Sequence, residues 1–78
     1  MAPPLRFPTV DHVEGYDITE VDSVVDKIVA ALETPRPQLT AEDVRRVRFT
    51  PVRLRAGYRM GDVDAWLDQA SERLARRR

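Results

Sequence analysis

The stretch Arg48–Leu74, RFTPVRLRAGYRMGDVDAWLDQASERL, is a second version of the stretch Arg6–Leu32, RFPTVDHVEGYDITEVDSVVDKIVAAL. The offset is 42 residues, and nine of the 27 aligned positions are identical without a single gap. A repeat unit this short does not bury its own apolar face, so neighbouring units must complete each other. We therefore expect the two copies to pack together as an interaction module, without a catalytic pocket.

Each copy carries apolar residues at a spacing of 3-4-3-4, which is typical of a helix that packs along another helix. In the first copy, Asp17 is placed to cap the helix and Glu20 to complete a capping box, whereas Arg59 takes the place of Asp17 in the second copy. The predicted long helices cover about 18–33 and 60–76. The residues predicted to form their interface and core are Ile18, Val21, Val25, Ile28, Leu32, Met60, Val63, Trp66, Leu67 and Leu74.

The remaining segments predict one short helix and several loops. Thr40 and Asp43 have the spacing of a capping box, which favours a short helix at about 41–48. The segments that lead into Gly15-Tyr16 and Gly57-Tyr58 show no helical period and are predicted as extended loops before each long helix. Residues 34–38 form a proline-containing linker between a first unit at 6–33 and a second unit at 39–75. The sequence thus predicts an all-α fold in a single small domain over 1–78, with the long helices either parallel or antiparallel.

The composition argues against an enzyme. The chain has no cysteine, which removes disulfides, thiolate catalysis and Cys-based zinc sites, and which suits a reducing cytoplasm. The single histidine, His12, belongs to no cluster of metal ligands or nucleophile–base pair, and there is no phosphate-binding loop. No apolar run approaches the ~18 residues of a membrane-spanning helix. We expect no catalytic residue, no metal and no cofactor.

The zero net charge hides a difference between the two halves of the chain. Residues 1–39 contain three basic and seven acidic residues, which gives −4, and residues 40–78 contain ten basic and six acidic residues, which gives +4. Either the basic half recognises an anionic partner, or the two halves attract each other within a chain or between chains. The second interpretation is favoured because the copies must pack together in any case. Nucleic acid is not the expected partner, since such readers are usually basic overall and carry aromatic residues for stacking.

The second copy and the residues just before it resemble the N-terminal domain of the DivIVA family. The family pattern is Leu-Thr-x-x-Asp-Val/Ile, then Phe, then Gly-Tyr, then Glu-Val-Asp-x-Phe-Leu-Asp. The matching residues are Leu39-Thr40-Ala41-Glu42-Asp43-Val44, Phe49, Gly57-Tyr58 and Asp62-Val63-Asp64-Ala65-Trp66-Leu67-Asp68, with Asp62 for Glu and Trp66 for Phe. The first copy keeps Gly15-Tyr16 and Glu20-Val21-Asp22, but it has Val24-Val25-Asp26 in place of Phe-Leu-Asp and lacks the preceding short helix.

Members of the DivIVA family are bacterial scaffolds that gather at curved membrane, at the division septum and at cell poles. Their N-terminal domain pairs as a parallel coiled coil whose loops present apolar and basic side chains to lipid. The resemblance implies a non-enzymatic scaffold or adaptor for cell division or polarity that acts through helix–helix packing. It also implies protein partners or self-association, in the cytoplasm and at the membrane of septum or pole. The duplication suggests in addition that one chain imitates the dimer of a single-repeat relative.

An alternative function concerns the loop before the second Gly-Tyr pair. The family's exposed Phe-Arg tip is not matched here, because Arg53-Leu54-Arg55-Ala56 occupies that place. An apolar residue between two cations suits the surface of an anionic membrane, so Arg53, Leu54 and Arg55 are the predicted lipid contacts. The competing interpretation is a solvated loop in which Leu54 folds inward.

Overall fold

The computed structural model describes residues 7–11, 13–35 and 38–76 of the chain. The three helices are α1 (Ile18–Leu32), α2 (Ala41–Arg45) and α3 (Met60–Ala75). The four strands are two residues long each: β1 (Thr9–Val10), β2 (Gly15–Tyr16), β3 (Pro51–Val52) and β4 (Gly57–Tyr58). Arg6, His12 and linker residues 36–37 lie outside the described residues.

The four strands form one antiparallel sheet in the order β1-β4-β2-β3. Thr9 lies opposite Tyr58, and Gly15 lies opposite Val52. The first strand of each copy therefore pairs with the second strand of the other copy, and the two second strands meet at the centre, where Tyr16 lies opposite Tyr58. The sheet exists only because both copies contribute to it.

The prediction of an all-α fold is wrong, because the fold is a small mixed α/β structure of three helices and a four-stranded antiparallel sheet. The segments predicted as extended loops before each long helix contain the strands. A two-residue strand is too short to show the alternation of apolar and polar residues that marks a strand in a sequence. Among the described residues, every strand pair joins one copy to the other, so a hairpin pattern within a single copy does not indicate these strands.

The two long helices run parallel, which answers a question that the sequence left open. Near the sheet, Val21 and Val25 of α1 share a buried cluster with Val63 of α3. Farther along, Ile28 of α1 shares a second cluster with residues from the last half of α3, Ala70 and Leu74. Because the first halves of the helices meet in one cluster and the second halves in the other, both helices point away from the sheet.

Helix starts follow the local chemistry of the chain. Asp17 caps α1 by accepting a hydrogen bond from the backbone N–H of Glu20 at 3.0 Å. Thr40 and Asp43 form the complete capping box of α2, whereas Arg59 before α3 makes no side-chain cap.

The short helix α2 ends at Arg45 instead of near residue 48, because the chain turns there toward the sheet. This turn brings Phe49 against Tyr16, with the two ring centroids 5.2 Å apart.

Candidate functional site

The two copies make the same hydrogen bond to each other twice. The hydroxyl of Tyr16 donates to Oδ1 of Asp64 at 2.8 Å, and the hydroxyl of Tyr58 donates to Oδ1 of Asp22 at 2.7 Å. Each residue of the second bond lies 42 positions from its counterpart in the first bond, with the two copies exchanged. Asp22 and Asp64 thus hold the two copies together near the start of the long helices.

Backbone and ring contacts follow the same exchange. The N–H of Asp17 donates to the carbonyl of Thr50 at 3.0 Å, and the N–H of Arg59 donates to the carbonyl of Pro8 at 2.8 Å. The ring of Phe7 lies 5.3 Å from that of Tyr58, which matches the contact of Phe49 with Tyr16 described above. The two copies are therefore related by an approximate two-fold axis, as two subunits of a symmetric dimer would be.

Replacing either tyrosine with phenylalanine tests the strength of these paired bonds. A hydrogen bond to a charged group is worth ~1.5–3 kcal/mol when it is shielded from water and less when it is exposed. Tyr58 is buried and Tyr16 is only half-buried, so we expect Tyr58→Phe to lower the free energy of unfolding by about 1.5 kcal/mol and Tyr16→Phe by about 0.5 kcal/mol. Urea unfolding of both variants checks the order, and equal losses would contradict it.

The pKa of Tyr16 supplies a second readout of the same pair. Burial, followed by the hydrogen bond and the charge of Asp64, raises the pKa of Tyr16 above its usual value. A raised pKa in the folded state favours folding below the unfolded value of ~10, and this contribution is lost as the pH rises further. As the pH rises above ~10, the free energy of unfolding of the Tyr16→Phe variant should therefore fall less than that of the unmodified chain.

The residues predicted to form the interface lie between or beside the long helices. Five are buried, and the other five are half-buried; the buried ones are Val21, Val25, Ile28, Val63 and Leu74, and the half-buried ones are Ile18, Leu32, Met60, Trp66 and Leu67. The buried residues that the predicted set omitted are Ala31, Val44, Tyr58, Ala70 and Ser71. The repetition of the Gly-Tyr pair was a signal for Tyr58, since a residue kept in both copies is well placed to contact its counterpart. Ser71 lies three residues before Leu74 and four after Leu67, which places it beside the same seam.

The predicted lipid contacts lie in the loop between β3 and β4. Leu54 is 100% exposed, so the interpretation that it folds inward is wrong. Arg53 is also exposed, whereas Arg55 forms an ion pair with Asp17 of the other copy. The equivalent loop between β1 and β2 exposes 59% of Val13, beside the acidic residue Glu14. Each copy therefore presents an apolar side chain in its loop, one in a basic and one in an acidic setting.

The approximate symmetry fails around the start of α1. Glu20 accepts hydrogen bonds from the backbone N–H and the hydroxyl of Thr50, at 2.7 and 2.8 Å. The corresponding residues in the other half are Asp62 and Pro8, and a proline has no N–H to donate. Within the described part of the chain, Oδ2 of Asp62 accepts no hydrogen bond and has instead a long ion pair with Nε of Arg59, at 3.9 Å. The two halves of the module therefore differ in their hydrogen bonds at equivalent positions.

An open cleft of about 590 Å³ lies on the same side of the molecule as the Glu20–Thr50 bonds. The residues that line it are Thr19, Glu20, Ser23, Val24, Arg48, Phe49 and Thr50. At the equivalent place in the other half, Trp66 packs edge-on against Phe7 with ring centroids 6.2 Å apart. The cleft therefore lies where the first copy has Val24 instead of an aromatic residue.

Over residues 7–11, 13–35 and 38–76, no group of three histidine, aspartate or glutamate side chains is arranged to hold a metal ion. None of the helices in that part of the chain has both the length and the apolar composition needed to cross a membrane. Comparison of the chain with models of known protein families, with curated proteins and with solved structures gives no match. The likeness to the DivIVA N-terminal domain therefore stays a prediction.

Proposed function

We propose that this chain is a non-enzymatic interaction module, a scaffold or adaptor, in which two tandem copies take the place of the two subunits of a dimer. The observation that carries the proposal is the reciprocal exchange of strands and of Tyr–Asp hydrogen bonds between the copies. In a two-fold symmetric dimer, residue i of one subunit contacts residue j of the other, and j contacts i. Here both contacts occur within one chain.

Fusing two subunits into one chain lets their surfaces diverge. In a homodimer both loops carry the same residues, whereas here one loop has Arg53 and Leu54 and the other has Val13 and Glu14. The same divergence gives the halves net charges of −4 and +4. A module of this kind can hold two different protein partners at once, which is the work of an adaptor.

The family resemblance supports a particular setting for this module. Gly-Tyr followed by Glu/Asp-Val-Asp, present in both copies, is the pattern of the N-terminal domain of DivIVA proteins. On that basis the module acts in the cytoplasm of a bacterium, at the division septum or cell pole. There it would join proteins that sort to those sites.

Analytical ultracentrifugation tests the single-chain part of the proposal. We expect a folded monomer with the 8.9 kDa mass of the chain over a wide range of concentration. The central strands and the apolar stripes of the two copies are already paired within the chain. Circular dichroism of the same samples verifies that the helices stay folded on dilution. An obligate dimer that unfolds on dilution would remove the proposal.

A peripheral membrane function is the second candidate, and the full exposure of Leu54 favours it. The loop places this leucine beside Arg53, which is exposed and has no acidic partner among the ion pairs of the described residues. Each basic residue near an anionic surface contributes ~1 kcal/mol, so a single loop binds such a surface weakly and reversibly. Arg55 contributes less freely because Asp17 holds it.

Co-sedimentation with anionic liposomes tests this second function. We expect the combined change Arg53→Glu and Leu54→Ser to reduce the bound fraction at least about fivefold, since it removes one cation and the exposed apolar side chain. Arg55 is left unchanged, because its reversal would also break the contact with Asp17. Val13→Ser is the matched control, an exposed apolar residue removed from the acidic loop. Binding that survives the double change would exclude the Arg53-Leu54 loop as the lipid contact.

A further inference from the structure

The short helix α2 packs against one side of α3. Val44 of α2 is buried and belongs to one cluster with Ala70 and Leu74 of α3. Next to this cluster, α2 and α3 border a common gap, to which α3 contributes Asp68 and Ser71. The helix α2 therefore covers the side of α3 that these residues form.

The offset of 42 residues identifies the equivalent side of α1, which we call the open side. The counterparts of Asp68, Ser71 and Leu74 are, in that order, Asp26, Val29 and Leu32. Residues three apart are neighbours on the surface of a helix, so these three lie along one side of α1 as their counterparts do on α3.

The open side of α1 is more exposed than its counterpart on α3. Ser71 and Leu74 are buried, at 1% and 6% exposure, whereas Val29 and Leu32 are half-buried. The cause is that α2 lies on the α3 side of the helix pair, and the part of the chain that the structure describes has no second short helix for the other side. Two apolar side chains thus remain partly in solvent where the other half of the module has a helix.

The charged side chains around the open side make it acidic. Asp26 and Glu33 are exposed on α1, and Asp22 is a third carboxylate on this side, although it is hydrogen-bonded to the sheet. On the α3 wall, Arg73 takes the place of Ala31, which shares a cluster with α2 in the other half. Three carboxylates and one guanidinium therefore surround the open side, and this balance favours a partner with basic residues.

The second copy shows the same combination with its short helix in place. Arg45, in the last turn of α2, borders the gap between α2 and α3 together with Asp64 and Asp68. These two aspartates are the counterparts of Asp22 and Asp26. A short helix is thus held in this module by a buried aliphatic residue, with a cation beside the carboxylates of the long helix.

We propose that the open side of α1 binds a short amphipathic helix of a partner protein, with an aliphatic residue in the position of Val44 and basic residues in its last turn. The helix α2 shows what such a partner is like, because the approximate two-fold axis that relates the copies carries α2 from α3 onto α1. The proposal rests on the interaction function proposed above and gives the partner a chemistry.

A peptide copy of α2 tests the proposal. The probe is the blocked peptide of residues 39–48, Leu-Thr-Ala-Glu-Asp-Val-Arg-Arg-Val-Arg, titrated into the isotopically labelled full-length chain and followed by nuclear magnetic resonance. We expect saturable shifts of the backbone amides of Asp26, Val29 and Leu32. A peptide with aspartate in place of its first valine should bind at least about tenfold more weakly, because that valine corresponds to the buried Val44.

Two variants of the chain locate the bound peptide. Val29→Lys places a cation on the open side, and Asp26→Arg reverses the charge of an exposed carboxylate there. We expect each change to weaken the binding of the basic peptide at least about fivefold. Ala30→Lys, at the exposed next residue of α1, and Asp11→Arg, in the exposed loop between β1 and β2, are the matched controls and should leave the affinity unchanged.

A covalent copy of the short helix keeps the test decisive, because an isolated peptide of this length is hardly helical in water. Residues 1–5 are replaced by a copy of residues 39–47, so that the added helix precedes Arg6 as α2 precedes Arg48. Attachment gives the helix a high effective concentration. We expect the thermal unfolding temperature to rise by about 4 °C or more and the free peptide to lose its effect on Val29. The control is the same added segment with aspartate in place of its first valine.

Four results would overturn the proposal. The first is an added helix that stabilises the chain no more than its aspartate control does. The second is a peptide that shifts the amide of Ser71 and not that of Val29, which would mean that it only replaces α2. The third is a shift of Val29 with protein concentration alone, which would make a second copy the occupant. The fourth is peptide binding that requires the removal of residues 1–5, which would make those residues the occupant.

These measurements are separate from the ultracentrifugation. The amides of α1 report on the open side whether the folded chain is a monomer or a dimer. A monomer without peptide binding and without stabilisation by the added helix would remove this inference and leave the proposed fusion of two subunits intact.

Discussion

Replacing Gly57 with alanine is expected to lower the free energy of unfolding by about 2–3 kcal/mol, and replacing Gly15 should have an effect of similar size. A Cβ atom on Gly57 would lie 2.9 Å from the carbonyl oxygen of Tyr16 and 3.1 Å from the carbonyl carbon of Gly15. A Cβ atom on Gly15 would lie 2.8 Å from the carbonyl oxygen of Tyr58. These neighbours are backbone atoms of the paired strands β2 and β4, so they move only if the pairing at the centre of the sheet is disturbed.

The effect is large in relation to the whole stability of so small a domain. A core of this size rarely supplies more than ~3–5 kcal/mol, so either substitution should bring the chain close to its unfolding midpoint in water. Neither glycine has a positive φ angle. The loss therefore comes from the close approach of the two copies and not from a strained backbone.

The third glycine of the chain provides the control. Gly61 lies in the first turn of α3, and a Cβ atom there would meet nothing within 4 Å. We expect Gly61→Ala to raise the free energy of unfolding by about 0.5 kcal/mol, because alanine favours helix more than glycine does. Chemical unfolding of the three alanine variants measures all these effects, and a Gly57→Ala variant as stable as the unmodified chain would contradict the packing argument.

Sequence patterns within a few neighbouring residues predicted the helices, whereas contacts between residues far apart in the chain could not be predicted. The spacing that ends at Leu32 and the cap at Asp17 are local signals, and they placed α1 within one residue of its observed end. The strands depend on pairing between residues about 40 positions apart, such as Tyr16 with Tyr58. No local pattern carries that information, so the all-α prediction failed there.

The candidate sites show the same division. The sequence indicated Leu54 between two arginines as a candidate contact, but not that Asp17 of the other copy holds Arg55. The loss of the aromatic residue at Val24 was visible in the alignment of the two copies. Its consequence, an open cleft in place of a ring contact, depends on Phe49 lying opposite and emerges only from the three-dimensional structure.

Separating the two copies is expected to abolish folding of each and to allow it again on mixing. Fragments 1–37 and 38–78 each keep one long helix, but the described strand pairs all join one fragment to the other. Isolated helices of this length are marginal in water. We expect each fragment alone to lose most of its helical circular dichroism signal and an equimolar mixture to regain it.

The charges of the fragments determine which pairs form. The first fragment has three basic and seven acidic residues, a net charge of −4, and the second has ten basic and six acidic residues, a net charge of +4. The mixed pair should therefore be more stable than either fragment paired with itself, most clearly at low salt, where screening is weak. As a control, a first fragment that carries Gly15→Ala should restore much less signal, because the central strands then do not approach. A homodimer of the second fragment that is as stable as the mixed pair would contradict this prediction. It would mean that the two copies are interchangeable and are not complementary halves of one interface.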